Sequence, residues 1–243
     1  MRPFFSLIIP CINSEPERIR KLFDSLTRQG VDKNELEIIV VDDASEDKAY
    51  QDVIKQYDFN VIFTETDTDI HCPGNTRRKG MEYVTGGWLF FADHDDYFED
   101  GILSVIKNYI NSARHEIYCI STITNEYDDV NKEYIRQFTH KNAWLHGKWY
   151  NVDLLIKPLN INFHSDLMTN EDVFFNCTIL DKLIVMDKDY DYLDIYSYRW
   201  IENPDSISRV GFANSERGYL YDGFADYLYA TTEPYWSSYH RLL

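Results

Sequence analysis

Cysteine is scarce in this chain, positive charge is outnumbered, and no apolar run is long. The four cysteines, Cys11, Cys72, Cys119 and Cys177, are scattered, with no C-x-x-C pair and no metal-finger spacing. That excludes a disulfide framework or a zinc finger and favours four reduced thiols in a cytosolic setting. No stretch approaches the roughly 18 consecutive apolar residues of a membrane helix. The opening "MRPFFSLIIPC" turns polar too early for a secretory signal and shows no small-residue cleavage site. The expectation is a cytoplasmic protein without a transmembrane segment, free to make peripheral contact at the inner face of a membrane. Lys and Arg number 24 against 41 Asp and Glu, a formal net charge of -17. Such a field repels phosphate backbones and excludes nucleic acid as a direct partner. Phosphate-cradling glycine loops are also missing: neither G-x-x-x-x-G-K-[ST] nor G-x-G-x-x-G follows the first apolar run. The P-loop and dinucleotide-fingerprint readings thereby lose their main support.

What is present is a regular alternation. With 243 residues, 44% of them hydrophobic and 16% aromatic, the chain is long enough for one compact unit with subregions. "FFSLIIP" (4–10) reads as a buried strand stopped by Pro10, and "SEPERIRKLFDSLTRQG" as a helix with Ser14 as N-cap. Ile19, Leu22, Phe23 and Leu26 fall at i, i+3, i+4 and i+7 of that helix. "LEIIVVDDAS" is a second strand, "EDKAYQDVIKQY" a helix, "NVIFTE" a third strand, residues 75–85 a helix, and "GGWLFFADHDD" a fourth strand. Apolar strands without polar alternation, separated by helices, imply a parallel sheet covered on both faces. In such sheets ligands sit beyond the carboxyl ends of the strands.

Polar clusters collect at those ends: Asn13 and Glu15 after the first strand, Asp42 and Asp43 after the second, Asp93, Asp95 and Asp96 after the fourth. "DHDD" alone fits a solvated turn equally well, and "VVDDAS" alone fits turn and capping chemistry. Their convergence on one edge, with the basic "RRK" segment between them in sequence, favours a site. Carboxylates there can hold Mg²⁺ or Mn²⁺ through oxygen, and the metal can clamp a diphosphate. "TNEDVFF" reads as a helix start, with Thr169 or Asn170 as N-cap and two acids complementing the dipole. Trp88 belongs to the core, and packing is the better account of Trp144, Trp149 and Trp200 too. His94, between the acids, is expected not to be a ligand, nothing in the spacing demands His164 or His240 as one, and Cys11 is expected to fill space.

These pieces, in this order, resemble a family 2 glycosyltransferase of the GT-A fold over about residues 4–209. The resemblance rests on "SLIIPCINSE", "IIVVDDAS", "CPGNTRRKG", "FFADHDD", "WLHGKWYNVDLLIKPLNINFHSDLMTNEDVFF" and "YSYRWIENPDSISR". It implies an α/β, Rossmann-like, mostly parallel sheet flanked by helices, with a smaller acceptor-side subregion. Residues 1–98 would form the nucleotide-sugar half, 99–210 the acceptor and catalytic half, and 211–243 an aromatic-rich segment of unassigned role.

Carried over by position, the resemblance places Pro10, Asn13, Glu15, Asp42 and Asp43 around base and ribose. Arg77 falls near base or diphosphate, with Arg78 beside it where the family has Asn. Asp93 falls on ribose and metal, Asp95 on the metal with Asp96 as substitute, and Asp172, or less well Glu171, on the catalytic base. The implied cofactor is Mn²⁺ or Mg²⁺. The implied substrates are a UDP-linked sugar donor and a glycan hydroxyl acceptor of a polysaccharide or glycoconjugate pathway. The implied reaction is a single displacement that inverts the anomeric carbon. Two alternatives stay open. One is a nucleotide-sugar-binding module without turnover; the other is an aspartyl phosphotransferase, whose usual motif "ADHDDYF" does not supply. The tyrosine-rich 211–243 segment could form a self-association surface.

Overall fold

The computed structural model describes residues 2–139, 144–165, 167 and 170–202. The chain opens with β1 (Phe5–Cys11), α1 (Pro16–Thr27), β2 (Leu36–Asp42), α2 (Ala49–Ile54), β3 (Asn60–Glu65), α3 (Pro73–Met81) and β4 (Trp88–Phe91). β1 lies between β2 and β4, β3 extends the sheet beyond β2, and all four strands run parallel. β2 is buried along its whole length and β1 everywhere but at Pro10, because successive side chains feed two separate cores. Phe5, Leu7 and Ile9 pack with Ile19, Leu22 and Phe23 of α1. Ile8, Ile39 and Val41 face the opposite side. Covering both faces is what removes polar alternation from these strands.

The remaining elements are β5 (Tyr97–Phe98), α4 (Ile102–Ser112), β6 (Cys119–Asp128), β7 (Glu133–Phe138), β8 (Lys148–Asn151), α5 (Glu171–Val185) and β9 (Asp191–Ile201). They join the same sheet, whose order is β3-β2-β1-β4-β8-β6-β9-β5, with β7 on β6. β8 is antiparallel to both β4 and β6, whereas β9 is parallel to β6. The result is the α/β architecture expected from sequence, parallel in its first half and mixed in its second. Phe175, Ile179, Leu180 and Leu183 of α5 fill the core opposite α1, α2 and α4.

Several local expectations shift. Pro10 does not end β1, which runs on to Cys11. Pairing with β4 has already stopped at Ile8, so the missing N–H leaves no ladder bond unmade. The N-cap of α1 is Glu15, without a side-chain cap bond, and not Ser14. Pro16 supplies the pre-set φ of a first helical position instead. α3 starts two residues before the expected 75 and ends at Met81; Cys72 is its N-cap, with Sγ accepting from the Asn75 N–H. β4 stops at Phe91, so the acids that follow occupy a turn.

Trp88 and Trp149 are buried, and Trp144 and Trp200 pack together with Phe138. All four cysteines are free and buried. No helix among the described residues is long and apolar enough to cross a membrane. The expectations for Thr169, His240 and residues 211–243 lie outside the described residues.

Candidate active site and cation centre

The acidic turn follows β4 and is held from behind by β9. The Asp93 N–H donates to the Tyr198 hydroxyl (3.0 Å), the Ile201 N–H donates to Asp96 Oδ1 (2.8 Å), and Arg199 makes a bidentate pair with Glu99 (2.7 and 2.8 Å). Strand β9 thereby sets the direction of the Asp96 and Glu99 carboxylates and fixes the backbone at Asp93. Asp93, Asp96 and His146 converge, with one ligand atom from each lying within 4.8 Å of the others. His146 Nε2 is 3.2 Å from Asp93 Oδ2 and 3.9 Å from Asp96 Oδ2.

Two buried atoms of this group, Asp96 Oδ2 and His146 Nδ1, make no hydrogen bond. An unsatisfied buried carboxylate oxygen is costly, and a divalent cation would satisfy it. Burial, then the neighbouring Asp95 and Asp93, raise the Asp96 carboxyl well above the carboxylate range. Burial also acts on Asp93, but Arg77 and His146 outweigh it and hold that carboxyl below its usual value. Two carboxylates and an imidazole are a donor set that suits Mn²⁺ or Mg²⁺.

His146 sits on a turn with little freedom. Gly147 has φ 71°, and a Cβ there would lie 2.9–3.0 Å from the hydroxyls of Thr122, Ser197 and Thr124. The Thr122 hydroxyl donates to the Gly147 carbonyl (2.8 Å), and the buried Lys148 ammonium donates to the Trp144 carbonyl. Burial lowers Lys148 to about 7. The His146 ring stacks on Tyr198, centroids 4.7 Å apart and planes 5° from parallel.

Behind the acidic turn, α3 and α5 meet at Arg77. Its guanidinium is buried and donates to Glu171 Oε1 and to Asp93 Oδ1, both at 2.6 Å. Glu171 and Asp172 open α5. Burial and then Asp172 push Glu171 up to about 7 against the pull of Arg77. Burial likewise raises Asp172, again opposed by Arg77. One Asp172 oxygen, Oδ1, accepts from the Val173 N–H (2.8 Å).

The residues expected around the nucleotide line the neighbouring strand ends. Asn13 has a left-handed backbone, φ 45°, and its Oδ1 accepts from the Glu46 N–H (2.9 Å). Asp42 is committed to the fold, accepting from the Tyr50 hydroxyl (2.6 Å) and the Ser45 N–H (2.9 Å). Asp43 accepts from the Thr66 hydroxyl (2.8 Å) and faces His71 Nδ1 (2.9 Å). Glu15 is exposed and pairs with Arg18, which also reaches Asp95 at 3.3 Å. Asp95 therefore turns toward α1 and stands apart from the Asp93, Asp96 and His146 group. Arg78 keeps a buried Nε without a partner. Pro10 is half-buried near the end of β1. His164 packs edge-on against Phe174, and neither it nor His94 belongs to the cluster.

Sequence reasoning missed His146, Tyr198 and Lys148 as parts of one site. The available signal was a histidine followed by glycine between aromatics in "WLHGKWY", which does not declare its partners.

A family model described as glycosyl transferase family 2 matches residues 6–179. Among curated proteins, the chain is 32% identical over 118 residues to the poly(ribitol-phosphate) beta-N-acetylglucosaminyltransferase TarS of Staphylococcus aureus, covering 48% of this chain and 20% of that protein. It is 33% identical over 115 residues to the poly(ribitol-phosphate) beta-glucosyltransferase of Bacillus spizizenii, covering 46% and 18%. The matched stretch thus spans about a fifth of the length of these relatives. A crystal structure of S. aureus TarS 1-349 superposes with a TM-score of 0.65 at 26% identity, over 83% of this chain and 60% of that one. The same protein in complex with UDP-GlcNAc shares the fold at 24% identity and a TM-score of 0.66, over 85% and 60%.

Proposed function

The chain belongs to glycosyl transferase family 2, and from that premise we propose that it transfers a sugar from a UDP-linked donor to a hydroxyl acceptor, with inversion and with the help of a divalent cation. The observation that carries the reading is the convergence of Asp93, Asp96 and His146, with an Asp96 oxygen buried and without a hydrogen bond, beyond the carboxyl end of β4. Those three side chains would hold Mn²⁺ or Mg²⁺. A divalent cation bound there neutralises charge on the diphosphate as it leaves.

Asp172 removes the proton of the acceptor hydroxyl as that oxygen attacks the anomeric carbon from the face opposite the diphosphate. One displacement inverts the configuration, so no covalent sugar intermediate is needed. Among the described residues Asp172 Oδ2 accepts no hydrogen bond, which suits it to take a proton. Asn13 and Asp43 contact the base and ribose, with Pro10 and Glu15 at the rim and Asp42 holding the strand end in shape. In this reading residues 1–98 serve mainly the donor and residues 99–210 mainly the acceptor, with His146 reaching back to the cation. The acceptor is a hydroxyl of a glycan or glycoconjugate, and the poly(ribitol-phosphate) named for the relatives is the first polymer to try.

Calorimetric titration of UDP, with Mn²⁺ and then with chelator, tests the reading on wild type and Asp96→Asn. The expected result is binding that requires Mn²⁺ and weakens by about tenfold or more in the variant, as loss of a direct ligand should at least match the effect of an outer partner. UDP affinity that ignores both the chelator and the substitution would overturn the cation assignment.

A further inference from the structure

Arg77 is placed unlike a residue whose main task is to touch a nucleotide. It lies in the middle of α3, only 5% exposed, and its two terminal nitrogens are engaged by carboxylates from two other elements. Asp93 belongs to the turn after β4, and Glu171 is the first residue of α5. The approach is close by construction. At Gly74, one turn before Arg77, an added Cβ would lie 3.0 Å from Glu171 Cβ and 3.1 Å from its Cγ. The two helix starts are therefore in contact, and the guanidinium spans the gap they leave. A planar fork can serve two carboxylates at once in fixed directions, which a lysine ammonium on a flexible stem cannot do.

The consequences differ for the two acids. On Asp93 the fork occupies Oδ1, which leaves Oδ2 as the oxygen that faces His146. On Glu171 it occupies Oε1, in a pair where both side chains are at most 10% exposed. Asp172, the next residue, has no hydrogen bond or ion pair to Arg77.

We propose that Arg77 is a positioning residue that locks the cation-binding turn to the start of α5, with Glu171 as its counter-ion and Asp172 left as the proton acceptor. This rests on the cation reading of Asp93, Asp96 and His146 given above. The fork does two jobs through one set of bonds. It aims Asp93 Oδ2 at the centre, and it fixes the distance between that centre and the base-bearing turn.

Mn²⁺ affinity, measured by calorimetry with Mn²⁺ alone on the folded protein, separates this role from its rivals. If Arg77 acted only through its charge, removing a buried cation beside a cation site would tighten Mn²⁺ binding. A residue that served only the diphosphate would leave Mn²⁺ affinity unchanged and alter UDP affinity. A residue that served only stability would lower the unfolding temperature and leave Mn²⁺ affinity of the folded protein unchanged.

Positioning predicts a loss of ~10–100-fold in Mn²⁺ affinity for Arg77→Met, the usual cost of removing a partner that orients a metal ligand. Arg77→Lys, which keeps the charge and reaches one carboxylate at a time, falls between wild type and Arg77→Met. Because Arg77→Met strands a buried carboxylate and can unfold the chain, the double variant Arg77→Met/Glu171→Leu removes that charge too. It is expected to fold and to bind Mn²⁺ as weakly as Arg77→Met, since residues acting through one contact are not additive. Wild-type or tighter Mn²⁺ binding in the folded double variant would overturn the inference while leaving the cation reading intact. Failure of the wild type itself to bind Mn²⁺ would overturn both.

Discussion

Single side chains in this site differ more than their sequence suggests. Asp93, Asp95 and Asp96 look interchangeable in "DHDD", yet one is held by Arg77, one pairs with Arg18 across to α1, and one is buried with an unsatisfied oxygen. The motif was legible; the division of labour within it was not, because it depends on groups that arrive from other elements. The same holds for Glu171 and Asp172, adjacent acids of which only the first is taken up by an arginine. Asp172→Asn is expected to lower turnover of a UDP-sugar by ~10²–10⁴-fold, the usual contribution of a general base. Mn²⁺ and UDP binding should change little, and a rate unaltered by the substitution would remove Asp172 from the reaction. Burial raises the Asp172 carboxyl above its ordinary value, and as the proposed base it would accept the proton in its ionised form. Activity should therefore fall as pH drops through that raised value and level off above it.

At the scale of an element, the turn that precedes β8 shows how local chemistry is made to serve a distant partner. Gly147 is there because the turn needs a left-handed residue and because three hydroxyls crowd its α-carbon. Lys148 is anchored on the Trp144 carbonyl beneath it, almost fully buried. A strand start with a buried lysine is contrary to burial preferences, so sequence pattern assigned it no role. Its folded pKa of about 7 lies below the lysine reference of about 10.4. Below pH 7 the buried ammonium keeps its charge and carries the full desolvation cost. Between pH 7 and about 10.4 only the unfolded state binds the extra proton, so this cost fades as pH rises. The stability of Lys148→Met relative to wild type should accordingly be higher near pH 6 than near pH 10, by about 4 kcal/mol. Denaturant unfolding of both proteins across that range tests it, and a gain that grows with pH would contradict the burial account.

The whole molecule brings the site together from pieces that share no secondary-structure element. The turn after β4, the turn before β8, the last part of β9, the middle of α3 and the start of α5 all meet there. A ligand that bridges them binds the folded chain alone and should stabilise all of it. Mn²⁺ with UDP at 100 times its dissociation constant is expected to add about 2.7 kcal/mol to the free energy of unfolding. Thermal unfolding with and without chelator measures this, and Asp96→Asn should lose most of the increment. Equal midpoints with and without Mn²⁺ and UDP would argue against a site of this composition.

Sequence alone determined the alternation of strands and helices in the first hundred residues, the parallel sheet covered on both faces, and the collection of acids at the strand ends. These follow from local periodicity and from burial on two sides, which a single stretch of chain reports by itself. Only the tertiary structure decided which acid faces which partner. Asp93 meets His146 across 53 residues, Arg77 meets Glu171 across 94, and the Tyr198 hydroxyl receives the Asp93 N–H across 105. The first and last of those separations are closed by the order β4-β8-β6-β9 in the sheet, and the second by the contact of α3 with α5. That order is settled by how the mixed half packs as a unit, and no window of the sequence carries it.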